Sequence, residues 1–271
     1  MVDLKIYVNE KEMSVNEGIT SFSLRDLIKK EADVVVLNGF IIKEDVPLKE
    51  NDRVVFITKG AVPDREELES LLVSRHTPRV HERVEKACIG IAGLGGLGSN
   101  VAVALARIGI GKLVLVDYDL VEPSNLNRQH YFLKHIGMKK TRALKEIISE
   151  INPFVEVEIR DIYLDKTNME ESFKDVDIIV EAFDNPICKA ELVNIALSKL
   201  TSKYIVAASG MAGHFSNNTI KTKKIRDKFY LIGDDISEAK PGCGLMAPRV
   251  SIAASHQANT VLRIILDEYE T

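Results

Sequence analysis

Three short stretches of this chain carry residue types that together suit a nucleoside triphosphate. They are Gly93-Leu94-Gly95-Gly96-Leu97-Gly98, Leu115-Val116-Asp117-Tyr118-Asp119 and Ser124-Asn125-Leu126-Asn127-Arg128-Gln129. An apolar run, Ala87 to Ala92, leads into the glycines, and an apolar helical pattern follows Ser99. A loop so placed offers phosphate the unpaired N–H groups and positive dipole of a helix N-terminus. Asp117 falls about 20 residues further on, where an ionised carboxylate can accept from both vicinal ribose hydroxyls. This spacing also satisfies the dinucleotide fingerprint, so an NAD-binding domain is the first rival; glycines serving only tight packing are the plain alternative. Asn125 and Arg128, three apart, put an amide and a planar guanidinium on one face of a turn, within reach of one phosphate chain. Nicotinamide binding does not require that pair.

Two further residues fit the same chemistry. Lys140 follows Gly137 at a predicted helix start and offers a compact positive charge, or simply a solvated Lys-Lys pair with Lys139. Asp184, after the apolar run to Phe183 and before Asn185-Pro186, suits magnesium, which takes one or two carboxylates and otherwise water and phosphate oxygens. Its plainer role is a helix cap. Cys243, in a polar glycine-bearing stretch, is a thiol with only Lys240 and Arg249 nearby in sequence to favour a thiolate.

The elements needed to position these groups are legible from periodicity. From Cys88, strands and helices alternate: strand 88–92, helix 99–109, strand 112–117, helix 139–150, strand 155–159, strand 176–180, helix 188–199, strand 204–208. Weaker strands near 219–222 and 229–232 and a long helix 250–267 complete the pattern. The expected fold is α/β, a Rossmann-like doubly wound sheet with helices on both faces. In such a sheet the glycine loop, Asp117, Asp184-Asn185 and Ser209-Gly210 all fall at carboxyl ends of strands, where ligands bind. Gly233 to Gly244 reads as a mobile polar loop.

Residues 1–60 read as a separate small unit of two strands, a helix and further strands, with Asn38-Gly39 as a turn. That order suggests a β-grasp domain. Residues 61–87 read as a charged helical linker, with Asp64 capping and Glu67 three residues on, and residues 88–271 as the nucleotide-binding domain.

Composition narrows the functional classes. The 271 residues carry a formal charge of −4 with both signs interspersed, so no nucleic-acid footprint is expected. No apolar run approaches a membrane span, and the N-terminus lacks a secretory layout, so a cytoplasmic protein without membrane association is expected. The three cysteines are far apart and form no Cys-x-x-Cys pair, so no structural zinc is expected.

The order of motifs resembles the ThiF/MoeB/HesA family, whose fold is shared with ubiquitin-activating enzymes. Gly-x-Gly-Gly-x-Gly, Asp-x-Asp, Ser-Asn-Leu-x-Arg-Gln, Gly-x-x-Lys and a strand-end Asp-Asn recur here over about 88–268. The resemblance implies that Gly93, Gly95 and Gly96 lie against ATP and that Asp117 binds its ribose. It also implies that Asn125, Arg128 and Lys140 hold the phosphates and that Asp184 governs Mg2+. Residues 1–60 resemble ThiS, the ubiquitin-like sulfur carrier, and the fusion resembles the second ThiF subfamily of thiamine biosynthesis.

The implied activity is adenylation of the C-terminal glycine carboxylate of a ThiS-like carrier, by a homodimer, with Arg128, Lys140 and Asp184 as the catalytic set. Alternatives are a tRNA-modification adenylating enzyme of the same family and a non-catalytic protein that binds ATP or carrier and regulates. Two departures from the family stand out. Arg75 or Arg79 would have to supply the arginine that relatives bring to a partner subunit's ATP. The carrier-like unit has a single Gly60, joined to Ala61, where a carrier ends in free Gly-Gly, so a separate ThiS-like carrier is the expected substrate.

Overall fold

A computed structural model describes residues 3–73 and 80–271. The expected arginines Arg75 and Arg79 lie outside the described residues. The chain divides into two compact units, Met1–Pro78 and Arg79–Thr271.

The first unit contains strands β1 (Asp3–Val8) and β2 (Lys11–Asn16), helix α1 (Ser21–Ile28), strands β3 (Val34–Leu37), β4 (Phe40–Ile42) and β5 (Arg53–Ile57), and helix α2 (Arg65–Val73). The five strands form one sheet in the order β2-β1-β5-β3-β4, with β1 and β5 parallel. Asn38 and Gly39 both take positive φ between β3 and β4, as a tight two-residue hairpin demands. Ile6, Leu24, Val54 and Phe56 form the centre of the small core. The Asp64 carboxylate caps α2 by accepting from the Glu67 N–H at 2.8 Å. Glu67 does not return the bond. Its carboxylate takes the Lys29 ammonium at 2.7 and 2.9 Å and the Asn9 amide at 3.0 Å, so α2 begins folded back on the strands and helix that precede it.

The second unit runs α3 (His81–Val84), β6 (Cys88–Ala92), α4 (Gly96–Arg107), β7 (Lys112–Val116), α5 (Lys140–Ile151), β8 (Glu156–Arg160), α6 (Met169–Phe173), β9 (Ile178–Glu181), α7 (Pro186–Ser198), β10 (Tyr204–Ala208), β11 (Lys221–Arg226), β12 (Phe229–Gly233) and α8 (Ala247–Ile265). Its seven strands are ordered β11-β12-β10-β9-β6-β7-β8, and all pair in parallel except β11 with β12. Strand order reverses at β6, which lies between β7 and β9, so the crevice beyond its carboxyl end is the expected ligand position.

Side chains alternate between the two faces. Ile178 and Val180 point into the larger core, built with α4, α5 and α8, while Ile179 joins Phe173, Leu192 and Ile195 under α6 and α7. Helix α4 starts three residues before the expected 99, because the glycines themselves make its first turn. Gly95 is its N-cap and Gly98 lies inside the helix. A Cβ on Gly98 would sit 1.9 Å from the Gly93 carbonyl oxygen, so only glycine lets the helix start this close beneath the strand end. The segment read as a mobile loop, Gly233 to Gly244, is tied down instead. Gly213 N–H donates to the Gly244 carbonyl at 2.8 Å, and Asp234 pairs with the buried Arg249 at 2.7 Å.

Candidate functional site

Gly93 leaves β6 with φ +89, a conformation side chains resist, and a Cβ there would lie 2.9 Å from the Ala182 carbonyl oxygen. Gly95 has room for a side chain, with nothing nearer than Gln129 at 3.8 Å from a would-be Cβ. Gly96 is covered by Val250 and by the Arg128 side chain, which lies 3.5 Å from a would-be Cβ. The glycines thus divide into two buried ones that pack the loop, Gly93 and Gly98, and two that are half-buried, Gly95 with room beside it and Gly96 beneath the Arg128 side chain.

Asp117 follows β7 and is buried. One carboxylate oxygen accepts from the Leu94 N–H at 2.6 Å and the other from the Asp119 N–H at 2.8 Å, which joins it directly to the glycine loop. Burial pushes its carboxyl above the ordinary value, and the Lys140 charge and the two N–H groups oppose that rise. Each oxygen keeps a further lone pair for a ligand hydroxyl.

Lys140 is the first residue of α5 and is only 6% exposed, so it is not a solvated lysine. Its ammonium sits 2.7 Å from Asp119 and its N–H bonds the Asp119 carbonyl at 3.0 Å. No motif spacing marks Asp119 as the partner of Lys140.

Asn125 is buried in a turn of 3-10 helix at Pro123–Asn125, where its Oδ1 accepts from the Glu122 N–H at 3.1 Å. The amide oxygen therefore shapes the turn, and Nδ2 is the end suited to donate to a ligand. Arg128 donates from Nη1 to Asn127 Oδ1 at 2.8 Å and the Ser124 carbonyl at 3.2 Å. Its buried Nε has no partner among the described residues, an orphan donor beside Gly96 that an anion would satisfy.

Asp184 is exposed at the carboxyl end of β9, and Asn185 caps α7 by accepting from Ile187 N–H at 2.8 Å and Cys188 N–H at 3.3 Å. Asp184 is thereby freed from capping. The carboxylate of Asp119 foremost, then partial burial and the charges of Asp117 and Asp184, raise the phenol of Tyr118 above its usual range. Tyr118 therefore senses all three acids at this edge, and its ring meets that of Tyr163 edge-on at 5.0 Å. Cys243 Sγ lies 3.1 Å from a would-be Cβ of Gly213. The Arg249 that its sequence neighbourhood offered is bound to Asp234 and to the Phe215, Ser216 and Thr219 oxygens. Among the described residues no three His, Cys, Asp or Glu side chains gather into a metal set, and no helix is long and apolar enough to cross a membrane.

Sequence reasoning missed one buried group at this edge. Glu181, wholly enclosed at the end of β9, pairs with Lys189 of α7 at 2.7 Å. Burial raises its carboxyl and Lys189 opposes the rise.

Comparison with known proteins places this architecture. Residues 69–271 match the model of the ThiF family, so the chain belongs to that family, and residues 4–60 match ThiS-like ubiquitin. The adenylyltransferase and sulfurtransferase UBA4 of Candida glabrata is 29% identical over 195 residues, 69% of this chain and 44% of that protein. The tRNA threonylcarbamoyladenosine dehydratase of Haemophilus influenzae is 34% identical over 158 residues, 56% of this chain and 60% of that protein. The chain spans about half the length of the first curated relatives it matches, 44% and 54%. The crystal structure of the Escherichia coli tRNA N6-threonylcarbamoyladenosine dehydratase with AMP superposes with a TM-score of 0.68 at 21% identity, covering 77% of this chain and 98% of that one.

Proposed function

We propose that this member of the ThiF family is an ATP-dependent adenylyltransferase. It activates the C-terminal glycine carboxylate of a separate ThiS-like sulfur carrier for thiamine thiazole formation and works as a homodimer. The observation that carries this reading is the joining, in one chain, of a carrier-like β-grasp unit to a unit whose phosphate-directed residues gather at one sheet edge.

In the reaction the carrier carboxylate attacks the α-phosphorus of ATP. The new C–O–P linkage forms as the bond to the bridging oxygen breaks, and pyrophosphate leaves with the electron pair. The attacking carboxylate is already ionised, so no base is required, and catalysis reduces to alignment and charge neutralisation. Gly95, Gly96 and the N-terminus of α4 receive phosphate oxygens, and Asp117 accepts from the ribose. Arg128, through its unpartnered Nε and planar fork, and Lys140, released from Asp119, neutralise the departing pyrophosphate. Asp184 is the residue that would hold magnesium. A single exposed carboxylate fits an ion that fills its remaining positions with water and phosphate oxygens and supplies further neutralisation when bound.

The fused β-grasp unit is not the substrate in this scheme. Gly60 continues as an amide into Ala61, and the helix that follows is pinned back by Glu67 on Lys29 and Asn9. The test is ATP–pyrophosphate exchange by the full chain, with and without added ThiS-like carrier. Exchange that needs the carrier and falls about 100-fold in Asp184→Ala supports the reading. Exchange independent of carrier refutes the substrate, and NAD binding in place of ATP refutes the site.

The likeness to two tRNA threonylcarbamoyladenosine dehydratases favours a second reading, adenylation of a carboxylate on modified tRNA. The formal charge of −4 and the fused carrier-like unit weigh against it. ATP turnover stimulated by tRNA and not by carrier would decide for it.

A further inference from the structure

The pair Glu181 and Lys189 forms an internal clasp. Lys189 Nζ donates to both carboxylate oxygens of Glu181, at 2.8 and 2.7 Å, and to the Ala208 carbonyl at 2.8 Å, which uses its three donors. Glu181 also accepts from the Phe183 N–H at 2.8 Å and the Ala208 N–H at 3.4 Å. From the opposite face, Gln257 of α8 donates to the Glu181 carbonyl at 3.0 Å and the Val206 carbonyl at 3.2 Å.

Dehydrating two ions commonly costs as much as their attraction returns, so stability alone does not account for a clasp of this kind. What it holds is specific. The bond to Phe183 N–H bends the chain immediately before Asp184. Ala182 N–H donates to the Ala92 carbonyl at 2.9 Å, and the Ala182 carbonyl packs where Gly93 lacks a Cβ. The turn that bears Asp184 is therefore pressed against the glycine loop, with Glu181 beneath it.

We propose that Glu181 and Lys189 are positioning residues that hold the Asp184 turn in register with the glycine loop. They act through that turn and make no contact with nucleotide themselves. The activity arm of the test rests on the adenylation reading; the structural arm does not.

The test compares Lys189→Met, Glu181→Gln and wild type as full chains. Hydrogen exchange in peptides covering 182–185 should accelerate at least 10-fold in Lys189→Met while peptides from β12 stay protected. Glu181→Gln keeps an acceptor for Phe183 and should show a smaller effect, which carries the test if Lys189→Met fails to fold. In carrier-dependent pyrophosphate exchange, Lys189→Met should lower the rate about 10-fold or more, and adding it to Asp184→Ala should lower it no further. Wild-type protection of 182–185 in both variants overturns the clasp, as does a multiplicative loss in the Lys189→Met, Asp184→Ala double variant. A wild-type enzyme without exchange sinks the adenylation reading alone, and the hydrogen-exchange arm still decides this one.

Discussion

Replacing Asp234 by asparagine tests a charge that no motif marks. Burial pushes this carboxyl upward, but the N–H groups of Ser237 and Ile236 and the Arg249 guanidinium outweigh it and bring Asp234 from the ordinary 3.8 to about 2. At 1.36 kcal/mol per pH unit this is about 2 to 3 kcal/mol in favour of the folded state. Between those two values the unfolded chain binds the proton more readily. The stabilisation is therefore full above about pH 5 and is lost as pH falls toward about 2. The Asp234→Asn side chain would keep an acceptor for the two N–H groups but leave Arg249, only 3% exposed, without its counter-charge. Urea unfolding followed by circular dichroism should show Asp234→Asn less stable than wild type by about 3 kcal/mol near neutral pH. Near pH 3 that gap should narrow by about 1 kcal/mol, because the wild type is then losing its own ionised partner. A gap that stays constant or widens on acidification would refute the reasoning.

Four further outcomes follow from the site. Gly98→Ala, with its Cβ 1.9 Å from a backbone oxygen, should cost about 3 kcal/mol in thermal unfolding. Gly95→Ala, with 3.8 Å of room, should cost no more than about 1 kcal/mol yet raise the KM for ATP. Arg128→Lys keeps the charge but loses the planar fork and the Nε donor, so pyrophosphate exchange should fall about 100-fold; near-full rescue by lysine would mean that charge alone suffices. Lys140→Met leaves Asp119, whose side chain is 44% exposed, able to hydrate. Its melting temperature should hardly change while exchange falls about 100-fold, and a matched loss of both would assign Lys140 to folding instead.

What is legible in the sequence is local. Strands 88–92 and 204–208 coincide with β6 and β10, because burial on both faces of a parallel sheet leaves continuous apolar runs. The Asn38-Gly39 turn is equally plain, since few residues accept positive φ at two consecutive positions. Helix α4 begins early because the glycine motif, read as loop, is also helix. Helix α6, five residues at Met169–Phe173, escapes sequence reading because it is too short for a periodic signal. Pairings between distant elements are not legible at all. Asp119 with Lys140, Glu181 with Lys189 and Asp234 with Arg249 each join separate segments, and residue type says nothing about which charges meet inside a fold.

That division explains why the glycine spacing alone leaves a dinucleotide rival standing. Gly93 and Gly98 answer a packing demand, a helix started directly under a strand end, which any phosphate-binding loop of this architecture shares. In the proposed reading, discrimination between a dinucleotide and a triphosphate rests on side chains delivered by other elements: Arg128, whose side chain lies against Gly96 and whose Nε has no partner among the described residues, Lys140 from the start of α5, and Asp184 from the end of β9. Each arrives through a separate structural device: the turn closed by Asn125, the pairing with Asp119, and the clasp beneath Phe183. On that reading the chemistry of the site is carried as much by these three supports as by the residues proposed to meet the phosphates, and variants of the supports should shift function without touching a ligand.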